Sequence, residues 1–142
     1  MNVRTAAART VGDAMTRGLV TVRASARLYE AAQLMDAYRV HGLPVVDNNG
    51  AVVGVLSQTD LLRARVVEHL WTNLKGLAVR HVMTAPAITV PLTATLDDAA
   101  ELMEQRRVHR LVVVGPDGVT PVGVLSVTDL VHVMADAAGM PV

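Results

Sequence analysis

The chain has no cysteine and no phenylalanine, and aromatic residues of any kind make up only 2% of it. Without thiols there is no disulfide framework, no thiolate nucleophile and no cysteine-based zinc site. Without Phe the core has to be aliphatic, drawn from the Val, Leu, Ala and Met behind a hydrophobic content of 51%. Net charge is missing too, because 13 basic residues balance 13 acidic ones. Nucleic-acid affinity rests largely on phosphate neutralisation, so a broad nucleic-acid surface is not expected. The same neutrality leaves little repulsion between copies and makes self-association easy. No run approaches the roughly 18 apolar residues of a membrane span. Residues 1–10 hold no apolar stretch long enough for a signal peptide, so a cytoplasmic protein without membrane partners is expected. The HExxH metal motif and the Walker A glycine loop are absent as well, and nothing in the sequence points to a Ser/His/Asp triad. The expectation is a protein that is not an enzyme.

What the chain does have, it has twice. Gly54-Val55-Leu56-Ser57-Gln58-Thr59-Asp60-Leu61 returns as Gly123-Val124-Leu125-Ser126-Val127-Thr128-Asp129-Leu130. Each copy follows an apolar β-branched run and opens an apolar-periodic segment, which reads as strand, tight turn and helix with Ser at the N-cap. A helix N-terminus suits an anion. Glycine there would let the backbone approach a ligand, Ser and Thr offer hydroxyls, and Asp offers a carboxylate that can grip a ribose diol. Ser57-x-x-Asp60 and Ser126-x-x-Asp129 also fit a capping box, which needs no ligand.

The rest of the chain follows the same duplication. Val11-x-x-x-Met15-Thr16 returns as Val79-x-x-x-Met83-Thr84, and Ala31-Ala32-x-Leu34-Met35 as Ala99-Ala100-x-Leu102-Met103. Arg39-Val40-His41-x-Leu43-x-Val45-Val46 returns as Arg107-Val108-His109-x-Leu111-x-Val113-Val114. An offset of about 68 residues marks a repeated supersecondary unit. In each unit the pattern predicts β-α-β-β-α. The first comprises a strand at Val20–Val22, a helix over Arg27–Tyr38 capped by Ser25, strands at Leu43–Val46 and Val52–Leu56 around an Asp47–Gly50 turn, and a helix from Ser57. The second comprises Ile88–Val90, a helix over Leu96–Arg107, Leu111–Val114, a turn at Pro116–Gly118, Val122–Leu125 and a helix from Val127. Residues 1–10 form a tail, 11–75 the first domain with its connector helix, and 76–142 the second, whose last helix ends at Gly139 and Pro141. Trp71, the sole tryptophan, reads as a packing anchor. The methionines at 15, 35, 83 and 103 read as core filling. An α+β fold is expected, its two repeats packed sheet to sheet about a pseudo-twofold axis, with clefts between them suited to ligands.

In this order and doubled, these motifs resemble the cystathionine-β-synthase (CBS) domain, present as a tandem pair or Bateman module. The resemblance spans about Val11 to Ala135. It implies a regulatory module for adenosine compounds (AMP, ADP, ATP or S-adenosylmethionine), pairing of two chains into a four-lobed disc, and a response passed to an unidentified protein target. Carried onto this sequence, Asp60 and Asp129 would hold ribose hydroxyls, while Ser57, Thr59, Ser126 and Thr128 would meet the ribose and phosphate region. Adenine would lie against apolar side chains around Val20 and Ile88. Arg107-Val108-His109-Arg110-Leu111 resembles the phosphate-contacting run in the gamma subunit of AMP-activated protein kinase, which would turn Arg110 toward phosphate as a fixed-charge fork and His109 as a weaker donor, with His41 the ligand-binding candidate at the equivalent position of the first repeat. The first repeat departs there, with Gly42 after His41, so the two sites are expected to be unequal. The adenosine nucleotide would be a regulatory ligand, with no cofactor and no metal, since two imidazoles without carboxylates make a poor metal site. The rival reading is a ligand-free dimerisation scaffold in which Ser57 and Asp60 only cap a helix. Nucleic-acid binding is a further alternative that the neutral charge disfavours.

Overall fold

A computed structural model describes residues 10–70 and 76–138, with the side chains of 65–70 and 137–138 outside the description. Trp71, most of the 1–10 tail and the chain end at Gly139 and Pro141 lie outside the described residues. A one-turn helix α1 (Val11–Ala14) leads into β1 (Val22–Arg23), α2 (Leu28–Tyr38), β2 (Gly42–Val46), β3 (Val52–Ser57) and α3 (Gln58–Leu70). A 3-10 turn (Val79–His81) then precedes β4 (Thr89–Pro91), α4 (Leu96–Arg106), β5 (Arg110–Val114), β6 (Pro121–Ser126) and α5 (Val127–Ala138). The β-α-β-β-α order is as expected in both repeats.

Each repeat builds a three-stranded sheet with its second strand central, β1-β2-β3 and β4-β5-β6. The outer pairings are parallel to the first strand and antiparallel to the third, with a register irregularity at Val45/Val46 and again at Val113/Val114. The hairpins close as the sequence demands. Asp47 Oδ1 accepts from the N–H groups of Asn49 (2.8 Å) and Ala51 (3.0 Å), and Gly50 takes a φ of +82°. Asp117 repeats the device with the N–H groups of Val119 and Thr120 (3.0 and 2.9 Å) and the Thr120 hydroxyl. That hydroxyl, with the backbone donors behind it, holds the Asp117 carboxyl below its ordinary range.

The α2 and α4 helices bury Ala31 and Met35, and Ala99 and Met103, at one-turn spacing against their sheets. Thr95 caps α4 by accepting from the Asp98 N–H (3.1 Å). Ser25 does not do the same for α2. The N-cap there is Arg27, with no side-chain cap, because Ser25 lies in a turn with Ala26 and Arg27 between it and the first helical residue, Leu28. The cores are aliphatic, as the composition required: Val22, Ala31, Met35, Leu43, Val45, Leu56 and Val79 in one, and Val11, Met15, Val90, Ala99, Met103, Leu111, Val113 and Leu125 in the other.

Sequence repeats and compact units do not coincide. Among the described residues, one unit lies within Val20–Ala87, and the other joins residues 10–19 to residues 88–138. The segment that precedes each repeat in sequence is therefore built into the other unit. Thr16 exchanges backbone hydrogen bonds with Val124 on β6 (2.9 and 3.2 Å), and Thr84 does the same with Val55 on β3 (both 2.9 Å).

This exchange assigns a different role to the motif glycines. A Cβ at Gly54 would stand 2.8 Å from the Thr84 carbonyl and 2.9 Å from Met83 Sδ. At Gly123 it would stand 2.6 Å from Met15 Sδ and 2.9 Å from the Thr16 carbonyl. Real Cβ atoms do not come so near. Glycine here admits the crossing Met-Thr segment, where the sequence suggested approach to a ligand.

Candidate functional site

The repeated strand–helix junction is a reciprocal capping box in both units. The Ser57 N–H donates to Asp60 Oδ2 (2.9 Å), and the Asp60 N–H donates to Ser57 Oγ (3.1 Å). Ser126 and Asp129 repeat this at 2.8 and 3.1 Å. The helices begin here because the β-branched strand ends at a Ser whose hydroxyl satisfies one orphan N–H. The first helical N–H is also taken, with Gln58 donating to the His41 carbonyl (3.0 Å) and Val127 to the His109 carbonyl (2.9 Å). The anion-attracting end of each helix is thus partly committed to the fold.

What distinguishes the two junctions is the company each carboxylate keeps. Asp60 is fully buried, and it accepts from Ser57, from the Thr84 hydroxyl (3.4 Å to Oδ1) and from the guanidinium of Arg63, one turn along α3. Asp129 is half-buried and accepts from Ser126 and from the Thr16 hydroxyl (3.1 and 3.4 Å to its two oxygens). Among the described residues no cation pairs with Asp129. The position equivalent to Arg63 is His132, which is exposed. Thr16 and Thr84 carry no role in the sequence reading. Their only signal was the Met-Thr pair duplicated ahead of each repeat.

The remaining expected residues divide between the two faces of each sheet. Arg110 is paired in register with Ser126, as Gly42 is with Ser57, so Arg110 shares the sheet face of the second cap. Thr59 and Thr128 are exposed in the first helical turns. Val20 packs on the core of the Asp60 unit and Ile88 on that of the Asp129 unit. His41 and His109 go elsewhere. One residue out of phase with Gly42 and Arg110, they line grooves between the two helices of their units, which include neither cap aspartate. One groove, of about 350 Å³, is lined by Ala32, Met35, Asp36, Arg39 and Leu61 among others. The other, of about 410 Å³, has Glu104 and Arg107 at its rim and Val127, Val131 and Met134 along α5. Among the described residues no group of three or more His, Asp or Glu is placed to hold a metal.

Both grooves are bordered by an arginine in the left-handed region, Arg39 at φ 53° and Arg107 at φ 54°, each closing its helix. Glycine ordinarily takes such a position because a Cβ is penalised there. Arg107→Gly is therefore expected to stabilise the fold by up to about 1 kcal/mol, as measured by urea unfolding. A loss of stability would show instead that the Arg107 side chain makes a contact worth more than the relief of strain.

Two copies of one β-α-β-β-α unit, each presenting a capped carboxylate where its last strand meets its last helix, define a tandem-repeat α+β module. The chain belongs to the CBS-domain family, whose model matches residues 11–67 and 79–136. It is similar to the chloroplastic CBS domain-containing protein CBSX2 of Arabidopsis thaliana, 32% identical over 135 residues, covering 77% of this chain and 57% of that protein. A crystal structure of CBSX2 in complex with AMP superposes with a TM-score of 0.77 at 34% identity, over 91% of this chain and 98% of that one. The CBS domain of a membrane protein from Sphaerobacter thermophilus superposes at 0.76, with 30% identity over 92% and 91% of the two chains. Inosine-5'-monophosphate dehydrogenase of Halalkalibacterium halodurans is 28% identical over 108 residues, 76% of this chain but only 21% of the enzyme. The chain thus spans about a fifth to about three fifths of the curated relatives it matches. No helix among the described residues is long and apolar enough to cross a membrane.

Proposed function

We propose that the chain is a regulatory module that binds an adenosine nucleotide of the AMP class and passes the response to a partner protein, without catalysing a reaction itself. The cap of the Asp129 unit carries this reading. There a half-buried carboxylate, without a cationic partner among the described residues, is flanked by the Thr16 hydroxyl and stands near the register position of Arg110. A ribose diol would donate to Asp129, and the Arg110 guanidinium offers a fixed-charge fork for phosphate. The AMP complex of CBSX2 supports the choice of ligand class. Binding would act by linkage, favouring whichever arrangement holds the nucleotide more tightly. Exposed apolar side chains on Leu62, Val127, Val131 and Met134 support pairing of two copies through helical faces.

AMP at a hundredfold over its dissociation constant is expected to stabilise the fold by about 2.7 kcal/mol, and thermal denaturation reads that directly. The shift should disappear in Asp129→Asn. Asn keeps the size of the side chain but presents one acceptor where the diol needs two. A nucleotide-free, folded preparation with no shift for AMP, ATP or S-adenosylmethionine would replace this reading with the scaffold. One observation favours that scaffold for the other cap, since both carboxylate oxygens of Asp60 and the Ser57 hydroxyl already have partners within the fold.

A further inference from the structure

We infer that Arg63 gates the Asp60 cap, so that the two sites of the chain differ in kind and nucleotide enters the Asp60 unit only when Arg63 is displaced. The inference rests on the reading that adenosine nucleotides bind at the cap aspartates. A carboxylate has about four lone-pair positions. At Asp60, Ser57, Thr84 and Arg63 occupy three of them, and only 2% of the side chain is exposed. A ribose diol needs two acceptor positions, so one present donor has to leave. Ser57 donates from the backbone of the strand–helix junction, and Thr84 lies on the crossing segment fixed to β3 by two backbone hydrogen bonds. Arg63 is the donor free to move, being 68% exposed on the first turns of α3.

The Asp129 cap has no such cover. His132 stands where Arg63 would be and makes no ion pair with the carboxylate. Among the described residues Thr16 is the only side chain donating to Asp129, so with the Ser126 N–H it leaves about two of the four lone-pair positions open to a diol without displacing either. The arginine associated with this cap comes from the strand, at Arg110, where the other cap has Gly42. One unit therefore spends its arginine on its own carboxylate, and the other keeps both groups available to a ligand.

The test is calorimetric titration of the full chain with AMP, for wild type and two reciprocal variants whose folding is checked by thermal melts. Wild type is expected to show one tight site per chain, abolished by Asp129→Asn. Arg63→Ala should tighten the weak site by about tenfold or bring it into range, because a charge-assisted hydrogen bond no longer competes with the diol. His132→Arg should weaken the tight site by a similar factor. If Asp129→Asn removes binding while Arg63→Ala and His132→Arg leave affinity and stoichiometry unchanged, the gate is overturned and the nucleotide reading stands. If no variant binds AMP, both fall together.

Discussion

Gly123→Ala is expected to lower the melting temperature by about 10 °C, corresponding to about 2 kcal/mol for overpacking in a unit of this size. The added methyl would meet Met15 Sδ at 2.6 Å and the Thr16 carbonyl at 2.9 Å. The thioether can swing away, since methionine has several rotatable bonds. The carbonyl cannot, because it accepts from the Val124 N–H while the Thr16 N–H donates back. Relieving the clash therefore means pulling the crossing segment off β6, which also exposes Val11 and Met15, both members of the core. Gly115→Ala is the matched control in the same unit. Its Cβ would meet Val122 Cγ1 at 3.5 Å, an ordinary contact, so its melting temperature should stay within a few degrees of wild type. Equal melting temperatures for the two variants would show that the segment is not held against the strand as described.

The second large effect is expected at Asp60. Asp60→Ala should cost about 2 to 3 kcal/mol in denaturant unfolding, against about 1 kcal/mol for Asp129→Ala. Both substitutions remove half of a capping box. Only at Asp60 is the carboxylate itself buried, and its loss leaves a cavity as well as depriving the Ser57 N–H and the Thr84 hydroxyl of their acceptor. Arg63 contributes little to the difference, because its exposed guanidinium returns to water. At Asp129 the carboxylate is half-buried, and solvent can replace part of what is removed. If the two alanine variants were equally stable, the burial of Asp60 would carry no energetic weight. The result also bears on ligand experiments, where the isosteric Asn variants separate binding from folding.

The arrangement of these effects follows the division between local and distant contacts. Periodicity and turn chemistry were enough to place two β-α-β-β-α units, their hairpin turns at Asp47–Gly50 and Pro116–Gly118, and both Ser-x-x-Asp caps. Each of those features is settled among residues a few positions apart, by helical spacing, an Asx turn or a capping box. Boundaries moved by one or two residues, and the cap at Ser25 failed because the helix starts at Leu28, two residues later than that cap requires, with the Leu28 N–H donating to the distant Leu77 carbonyl.

Only the tertiary structure decided what surrounds the caps. Thr16 reaches Asp129 across 113 positions of sequence, and Thr84 reaches Asp60 across 24. No local rule announces that the segment before one repeat belongs to the other unit. For the same reason the motif glycines read as room for a ligand when they are room for the chain itself. Strand alternation separates His109 from Arg110, and it can be applied only once the pairing register is fixed. The sequence by itself determined the fold, the duplication and the positions of the two carboxylates. The packed chain determined which carboxylate is covered, because burial and hydrogen-bond partners are properties of residues that meet in space.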